Sequence, residues 1–400
     1  MSFFSGASYF AALFILWWAY AGYFLLIGLM SRRRLCAPGR EYSDAELPIL
    51  TVVIPVHNEK DFIARKLANV AETDYPADKL EVIVADGLSD DGTDKIVTEA
   101  ALSMSFVRFV QTGVRGKIPQ INKVLDKIGG DVVVNTDVDG VLEKNTLRGI
   151  VSALCDGETA VAGALVVPLD CSVEDADFWR LQNAIRFLES GIGLSSTVVA
   201  ACYGFRKSVI GKFPDDVIAD DVYLPFLANL SGHKTVYLQS ARAYELRAAK
   251  NIGELLRHKA RKGNADLREI FRFARSIPLM PARWLMVYAA KALHMIIAPF
   301  VLAAFAAMTV ARVLSGEYLF VLAALAPAVV SAAIINAKAL SGTDDVRGSA
   351  LAAAAGRIKM FFITNIILVA AVLCYPFFRQ TSAYKKISRA DSLGAPTGKI

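Results

Sequence analysis

Residues 9 to 30 read YFAALFILWWAYAGYFLLIGLM and contain no charged side chain. At 1.5 Å per residue, a helix of about 22 positions crosses a hydrocarbon core of about 30 Å. The stretch therefore predicts a transmembrane helix. A secretory signal is the less favoured alternative, because no basic residue precedes the stretch and it is longer than the usual apolar core of a signal peptide.

Basic residues follow this helix as Arg32, Arg33 and Arg34. The positive-inside rule places them in the cytoplasm and the amino terminus outside. We assign residues 1–34 to the helix and its basic flank. The composition agrees with a membrane protein, since 54% of the residues are hydrophobic and the mean hydropathy is +0.41. An integral, multi-pass protein of a bacterial inner membrane, with its soluble part in the cytoplasm, is the expected class.

Apolar segments return near the carboxyl terminus at 284–311, 318–337 and 360–378. Their lengths fit three further crossings, so residues 284–378 are expected to contain about three transmembrane helices. Three crossings would place the tail, residues 379–400, outside. The basic residues of that tail favour the cytoplasm, so either one segment is re-entrant or interfacial, or the basic loop before residue 360 decides the orientation.

Between these regions, residues 48–250 have the composition of a single soluble domain. The segment 251–283 mixes basic with apolar residues and predicts an amphipathic helix at an anionic membrane surface. Nucleic-acid binding is the competing interpretation of a basic stretch, and it is disfavoured because the chain continues directly into an apolar span. The five cysteines form no CxxC pair, so neither a disulfide framework nor a zinc site is indicated.

The soluble region alternates apolar runs with helical patterns. ILTVVIPV (49–56) and LEVIVADG (80–87) are typical of strands buried on both faces, and each is followed by a helical pattern. MSFVRFVQT and DVVVNTDVDG continue the alternation. Four repeats predict an α/β fold with a mainly parallel sheet and right-handed crossovers.

Ligands bind at the carboxyl ends of the strands in such sheets, and polar residues follow the predicted strands there. Asn58 and Glu59 follow the first strand, Asp86 ends the second, and Asp137 and Asp139 end the fourth. Neither GxGxxG nor GxxxxGK[ST] occurs. RGK, residues 115–117, precedes a helix and could receive a phosphate there, with a solvated basic turn as the alternative.

Two acidic pairs allow both a structural and a chemical interpretation. Asp137 and Asp139 could share a Mg²⁺ or Mn²⁺ with diphosphate oxygens, or they could close the strand in an Asx-turn relaxed by Gly140. Asp220 and Asp221 could cap a helix, or they could include a general base. Sequence spacing alone cannot bring the two pairs together.

Four motifs in order resemble the membrane-bound inverting glycosyltransferases of family 2, which have a GT-A nucleotide-sugar fold and include cellulose, chitin and hyaluronan synthases. The motifs are VVIPVHNE, VADGLSDDGT, GKIPQIN and DVD, and the resemblance covers about residues 48–265. It implies a nucleotide-sugar donor, with a UDP-sugar favoured, and a lipid or growing glycan as acceptor. It also implies a divalent cation, Mg²⁺ or Mn²⁺.

The resemblance assigns roles residue by residue. It implies that Pro55, Asn58, Glu59 and Asp86 bind the nucleotide. It implies that Lys117 binds the diphosphate, with Asn122 supporting its loop, and that Asp137 and Asp139 bind the metal. In ACYGFRKSVI it implies that Tyr203, Gly204 and Arg206 are exposed at the acceptor site. ADD stands where the family has Thr-Glu-Asp, so Asp221 is expected to be the base and Asp220 its orienting neighbour.

One motif departs from the family pattern. Processive members carry Gln-x-x-Arg-Trp on an interfacial helix, whereas LLRHKARKGN contains neither Gln nor Trp. Arg261 is the basic residue selected there as a diphosphate contact. A processive polysaccharide synthase therefore stays an alternative to single transfer, and a membrane protein that binds nucleotide sugars without catalysis is the alternative from another class. The motifs do not identify the sugar.

Overall fold

The structure is a computed structural model that describes residues 6–31, 40, 42–169, 173–246, 252–326 and 350–377. Its strands, β1 to β8 in chain order, are Leu50–Val56, Leu80–Asp86, Val107–Gln111, Val132–Thr136, Gly140–Leu142, Thr159–Pro168, Cys202–Arg206 and Lys234–Glu245. Its helices, α1 to α12, are Gly6–Met30, Lys60–Ala71, Thr93–Ser103, Lys117–Leu125, Thr146–Leu154, Val173–Gly191, Lys207–Ile210, Asp220–Leu230, Ile252–Ala274, Ala282–Leu314, 318–326 and Ala350–Cys374.

The eight strands form one sheet in the order β3-β2-β1-β4-β7-β6-β8-β5. Strands β1 to β4 pair in parallel, as the alternating pattern predicts. The second half is mixed, because β7 is antiparallel to both β4 and β6, and β5 is antiparallel to β8. The expectation of a mainly parallel sheet is therefore wrong for this half, since an apolar run predicts burial but not strand direction.

Burial on both faces explains the continuous apolar runs of the central strands. In β1, Val53 packs in the cluster on one face of the sheet, whereas Val52 and Ile54 pack in the cluster on the other face. Ile83 and Val84 of β2 divide in the same way. This alternation follows from the two-residue period of a strand.

The sheet curls so that its edge strand β5 returns toward the central strand β4. Only Asp137 to Asp139 separate β4 from β5, and the four steps from Thr136 to Gly140 span at most about 14 Å. In a flat sheet, β5 would lie four strand spacings from β4, or about 19 Å. The turn between these strands therefore lies where the edge of the curled sheet approaches its centre.

Two described helices, Gly6–Met30 and Ala282–Leu314, are long and apolar enough to cross a membrane, and Ile358–Cys374 is a shorter apolar helix. Large apolar side chains are exposed on all three, among them Phe14, Phe300 and Ile366. The predicted span at 318–337 lies only partly within the described residues, and the basic tail from residue 379 lies outside them.

Candidate functional site

The loops after β1 and β2 are joined by hydrogen bonds at the carboxyl edge of the sheet. Asn58 has a left-handed φ of 54°, and its Nδ2 donates to Asp90 Oδ1 at 2.8 Å. The backbone N–H of Asn58 donates to Ser89 Oγ at 2.9 Å. Asp86 accepts from the backbone N–H of Ser89 at 3.0 Å and from its hydroxyl at 2.5 Å. The two loops thus form one polar wall.

Two further residues selected from the sequence lie beside this wall. Pro55 is half-buried in β1, opposite Ala85 of β2. Glu59 is buried, and its backbone N–H donates to Thr93 Oγ1 at 2.9 Å. The predicted nucleotide-binding residues of the first two motifs therefore cluster at one edge of the sheet.

Lys117 joins the two acidic pairs that sequence spacing leaves apart. Its ammonium group lies 2.9 Å from Asp137 Oδ1 and 3.0 Å from Asp220 Oδ2, and it donates to the Ala200 carbonyl at 3.2 Å. Burial alone would lower the pKa of Lys117, but the two carboxylates raise it above its ordinary value. A cation is therefore held at the centre of the site.

The DVD motif forms the turn between β4 and β5. The backbone N–H of Gly140 donates to the Asp137 carbonyl at 3.1 Å, and Val138 packs into the core. A Cβ at Gly140 would lie 3.0 Å from the Ala201 carbonyl oxygen, so a side chain would crowd the backbone there. The turn predicted from Gly140 is present, and it places two carboxylates on one short segment.

Lys66 is a functional candidate that the motifs did not select. It is fully buried under the DVD turn, where its ammonium group donates to Thr136 Oγ1 at 2.8 Å and to the Gly140 carbonyl at 2.5 Å. Burial lowers the pKa of Lys66 to about 8, although the nearby Cys202, Asp137 and Asp139 oppose this shift. Lys66 shares the apolar face of its helix with Ile63, Leu67 and Val70. Lysine is rarely fully buried, so a lysine on an apolar helix face is the sequence feature that points to Lys66.

The donor set at this turn suits a hard divalent cation that arrives with a diphosphate. In the described part of the chain, no three His, Cys, Asp or Glu side chains are grouped to hold a metal ion. Two carboxylates nevertheless suffice for Mg²⁺ or Mn²⁺ when phosphate oxygens and water complete the shell. The Asp137 side chain is 35% exposed beside Lys117, so it is accessible to such an ion.

The second acidic pair begins α8, as expected, and its two members have different surroundings. Asp220 is buried and accepts from the Tyr203 hydroxyl at 2.5 Å and from Lys117. Asp221 is half-buried, and its charged neighbours include Asp266 and Lys262. Burial raises the pKa of both carboxyl groups, and Asp266 raises that of Asp221 further. Asp220 therefore faces the first acidic pair, whereas Asp221 faces α9.

The expectation of exposed acceptor residues in β7 is wrong for Tyr203 and Gly204. The Tyr203 side chain is fully buried and holds Asp220, while Gly204 is buried against α5. Arg206 pairs with Val132 at the start of β4, whereas Asp137 follows its end. Arg206 therefore lies at the opposite edge of the sheet, where it donates to the Gly157 carbonyl.

Replacing Gly204 with Ala is expected to destabilise the fold. A Cβ there would lie 2.4 Å from Ile150 Cγ2, 3.1 Å from Leu154 Cδ1 and 3.2 Å from Val134 Cγ2. Overpacking of this kind costs about 1 to 3 kcal/mol. Thermal unfolding of the purified protein should show a lower Tm, while Gly129→Ala, in open space on the surface, should leave it unchanged. An unchanged Tm with weakened acceptor binding would instead support the acceptor role.

Two other predicted contacts have different surroundings from those expected. Asn122 donates to the Phe213 carbonyl at 2.9 Å and accepts from its N–H at 3.1 Å, so it supports the segment before α8 rather than the loop of Lys117. Arg261 is half-buried on α9. The basic residues of that helix that line a cavity next to α6 and α10 are Lys259 and Lys262.

Comparison with known proteins identifies the domain. Residues 51–212 match the family model described as glycosyl transferase family 2. The probable glycosyltransferase YdaM of Bacillus subtilis is 32% identical over 219 residues, which are 50% of this chain and 51% of the relative. Beta-monoglucosyldiacylglycerol synthase of Synechocystis sp. is 28% identical over 202 residues, or 47% of this chain and 42% of the relative. The chain thus spans about half the length of these curated relatives.

A solved structure supports the fold over most of the chain. The mannosyltransferase PcManGT from Pyrobaculum calidifontis, in complex with GDP-Man and Mn²⁺, matches with a TM-score of 0.69 and 24% identity. The match covers 92% of this chain and 99% of that one. Residues 51–212 therefore match a glycosyltransferase family 2 domain, and the chain has a mixed α/β fold of the GT-A type.

Proposed function

We propose that this chain is a membrane-bound inverting glycosyltransferase that moves a sugar from a nucleotide-sugar donor to a lipid or glycan acceptor. The observation that carries the proposal is the contact of Lys117 with both Asp137 and Asp220. It joins the end of β4 to the start of α8, so that groups suited to a diphosphate and groups suited to proton transfer border one space. A binding module without catalysis would need only the groups suited to a diphosphate.

The donor is expected to occupy the edge formed by the loops after β1 and β2. Asp86 and Asn58 would contact the nucleoside and Lys117 would donate to the diphosphate, as the motifs imply. We expect a UDP-hexose or a UDP-N-acetylhexosamine, in keeping with the motifs. Because PcManGT was solved with GDP-Man, GDP-sugars belong among the donors tested.

The chemical step is a single displacement at the anomeric carbon. Asp221 removes the proton from an acceptor hydroxyl as that oxygen attacks, and the bond to the diphosphate breaks with its electron pair passing to the leaving group. Lys117 then neutralises charge that develops on the diphosphate. Asp137 and Asp139 would hold a divalent cation, which supplies further positive charge at the leaving group when it is bound.

The apolar helices and one relative support a membrane location and a lipid acceptor. Two helices have the length and hydropathy of membrane spans. The Synechocystis relative is named for a glucosylated diacylglycerol. A cytoplasmic donor domain beside membrane helices would give the enzyme access to lipid head groups.

Radiolabelled nucleotide sugars, supplied singly to the purified full chain with native lipids and Mn²⁺, test the proposal. The panel contains UDP-glucose, UDP-N-acetylglucosamine and GDP-mannose. We expect label to pass from one of them to a lipid or glycan product. Binding without transfer would indicate a non-catalytic nucleotide-sugar protein, and neither binding nor transfer would contradict the proposal.

A further inference from the structure

A cavity of about 330 Å³ lies between the glycosyltransferase domain and the apolar helices. Part of its wall is apolar, with Phe24 of α1, Met295 of α10 and Leu368 of α12. The rest is polar and includes Lys262 and Asp266 of α9. The cavity therefore has the two kinds of surface that an amphipathic molecule requires, and part of the apolar kind is provided by α1 and α10, the two described helices long and apolar enough to cross a membrane.

The polar end of this cavity lies beside the start of α8, near Asp221. Asp266 and Lys262 line the cavity and are charged neighbours of Asp221, as is Lys117 on the donor side. Thr197 lines it too, and the next residue, Val198, donates its backbone N–H to the Asp221 carbonyl at 3.0 Å. Asp220, by contrast, is held by Lys117 on the donor side. The start of α8 therefore lies between the donor site and the cavity.

The charges that line the cavity nearly cancel. The cations that line it are Arg186, Lys259, Lys262 and Lys291, and the carboxylates that line it are Glu189, Glu245 and Asp266. Glu189 is already a hydrogen-bond acceptor for the Tyr23 hydroxyl at 2.8 Å and for the Ser196 N–H at 2.8 Å. Such a wall offers both donors and acceptors to hydroxyl groups, and with four cations against three carboxylates it has an excess of only one positive charge to attract an anion.

We propose that this cavity binds the acceptor, and that the acceptor is a lipid with an uncharged, hydroxyl-bearing head group. The head lies among the polar side chains with one hydroxyl at Asp221, and the acyl chains lie along the apolar helices. The inference rests on the proposed glycosyltransferase function. In the transfer, the hydroxyl oxygen bonds to the anomeric carbon, its proton passes to Asp221, and the nucleoside diphosphate leaves with the electron pair of the broken bond.

Gly263 allows the cavity to be filled without disturbing the donor site. It lines the cavity from within α9, and a Cβ there would meet only Ala371 Cβ and Leu368 Cδ2, each at the ordinary contact distance of 3.8 Å. Replacing a glycine inside a helix with Leu or Ala also favours the helix by up to about 1 kcal/mol. Gly263→Leu therefore fills space, Gly263→Ala fills less, and Gly129→Leu on the exposed surface is the matched control.

The experiment compares transfer to lipid with slow hydrolysis of the donor in the full chain, reconstituted in phosphatidylcholine nanodiscs. Two lipid probes with equal acyl chains are supplied: monoglucosyl diacylglycerol, which is uncharged, and phosphatidylglycerol, which has hydroxyls and a negative charge. We expect transfer to the uncharged lipid. Gly263→Leu should lower that transfer at least about tenfold and leave hydrolysis within about twofold of wild type, with Gly263→Ala between them.

The outcomes separate this inference from the proposed function. Wild-type protein that neither binds nor hydrolyses any donor would overturn the proposed function. If Gly263→Leu keeps normal hydrolysis and undiminished transfer, the assignment of the cavity as the acceptor site is wrong, while the proposed function stands. The same holds if Gly263→Leu loses hydrolysis together with transfer. Preference for phosphatidylglycerol, or hydrolysis without transfer to either lipid, would overturn the uncharged, hydroxyl-bearing head group.

Discussion

Asp221→Asn is expected to lower turnover by about three orders of magnitude and to leave nucleotide-sugar binding intact, because general-base catalysis contributes about 10²- to 10⁴-fold. Asparagine has nearly the shape of aspartate but cannot accept a proton in the reaction. Asp221 is half-buried and has Asp266 and Lys262 of α9 as charged neighbours, whereas Asp220 contacts Lys117 on the donor side. The loss should therefore appear in kcat rather than in donor affinity.

The control is Asp78→Asn, which removes an exposed carboxylate on the surface and should leave turnover unchanged. The pH profile gives a second check. Since burial raises the pKa of Asp221, wild-type activity should fall on the acidic side at a pH above the ordinary range of aspartate. Near-normal turnover by Asp221→Asn would show that another group is the base.

Asp137→Asn is expected to weaken metal-dependent donor binding about 10- to 100-fold, which corresponds to the loss of about 1.5 to 3 kcal/mol from one charged contact. The backbone of the turn, closed by the Gly140 N–H on the Asp137 carbonyl, should survive this change. The carboxylate that meets Lys117 at 2.9 Å would be lost, together with its place in the metal shell.

Calorimetric titration of the donor with and without Mn²⁺ measures this effect. In wild type, Mn²⁺ should tighten binding, whereas in Asp137→Asn it should tighten it far less. Asp78→Asn again serves as the surface control and should behave as wild type. Equal dependence on Mn²⁺ in Asp137→Asn and wild type would contradict the metal role of Asp137.

Local patterns were sufficient to predict the first half of the sheet. The runs of β1 and β2 are buried on both faces, and parallel pairing puts Asp86 and the DVD turn at one edge. The strand directions in the second half of the sheet could not be predicted from local patterns. The antiparallel direction of β7 places Cys202 opposite Thr136 and carries Arg206 to the far edge, a reversal that no pattern in the segment predicts.

The contacts that assemble the site were beyond prediction for a different reason. Lys117 reaches Asp137 and Asp220 only because the sheet and α8 bring together segments that are distant in the chain. The motif predicts an exposed Tyr203, whereas its buried hydroxyl donates to Asp220. Lys66 was detectable as a lysine on an apolar helix face, but its target, the turn after β4, depends on tertiary packing.

The anomeric configuration of the transferred sugar tests the single displacement most directly. With an α-linked nucleotide sugar as donor, attack opposite the departing diphosphate and assisted by Asp221 yields a β-linked product. The one-bond carbon–hydrogen coupling at the anomeric centre, measured by NMR on the first product formed, distinguishes the two configurations. A β-linked product is the predicted result, and an α-linked product from the same donor would contradict the mechanism.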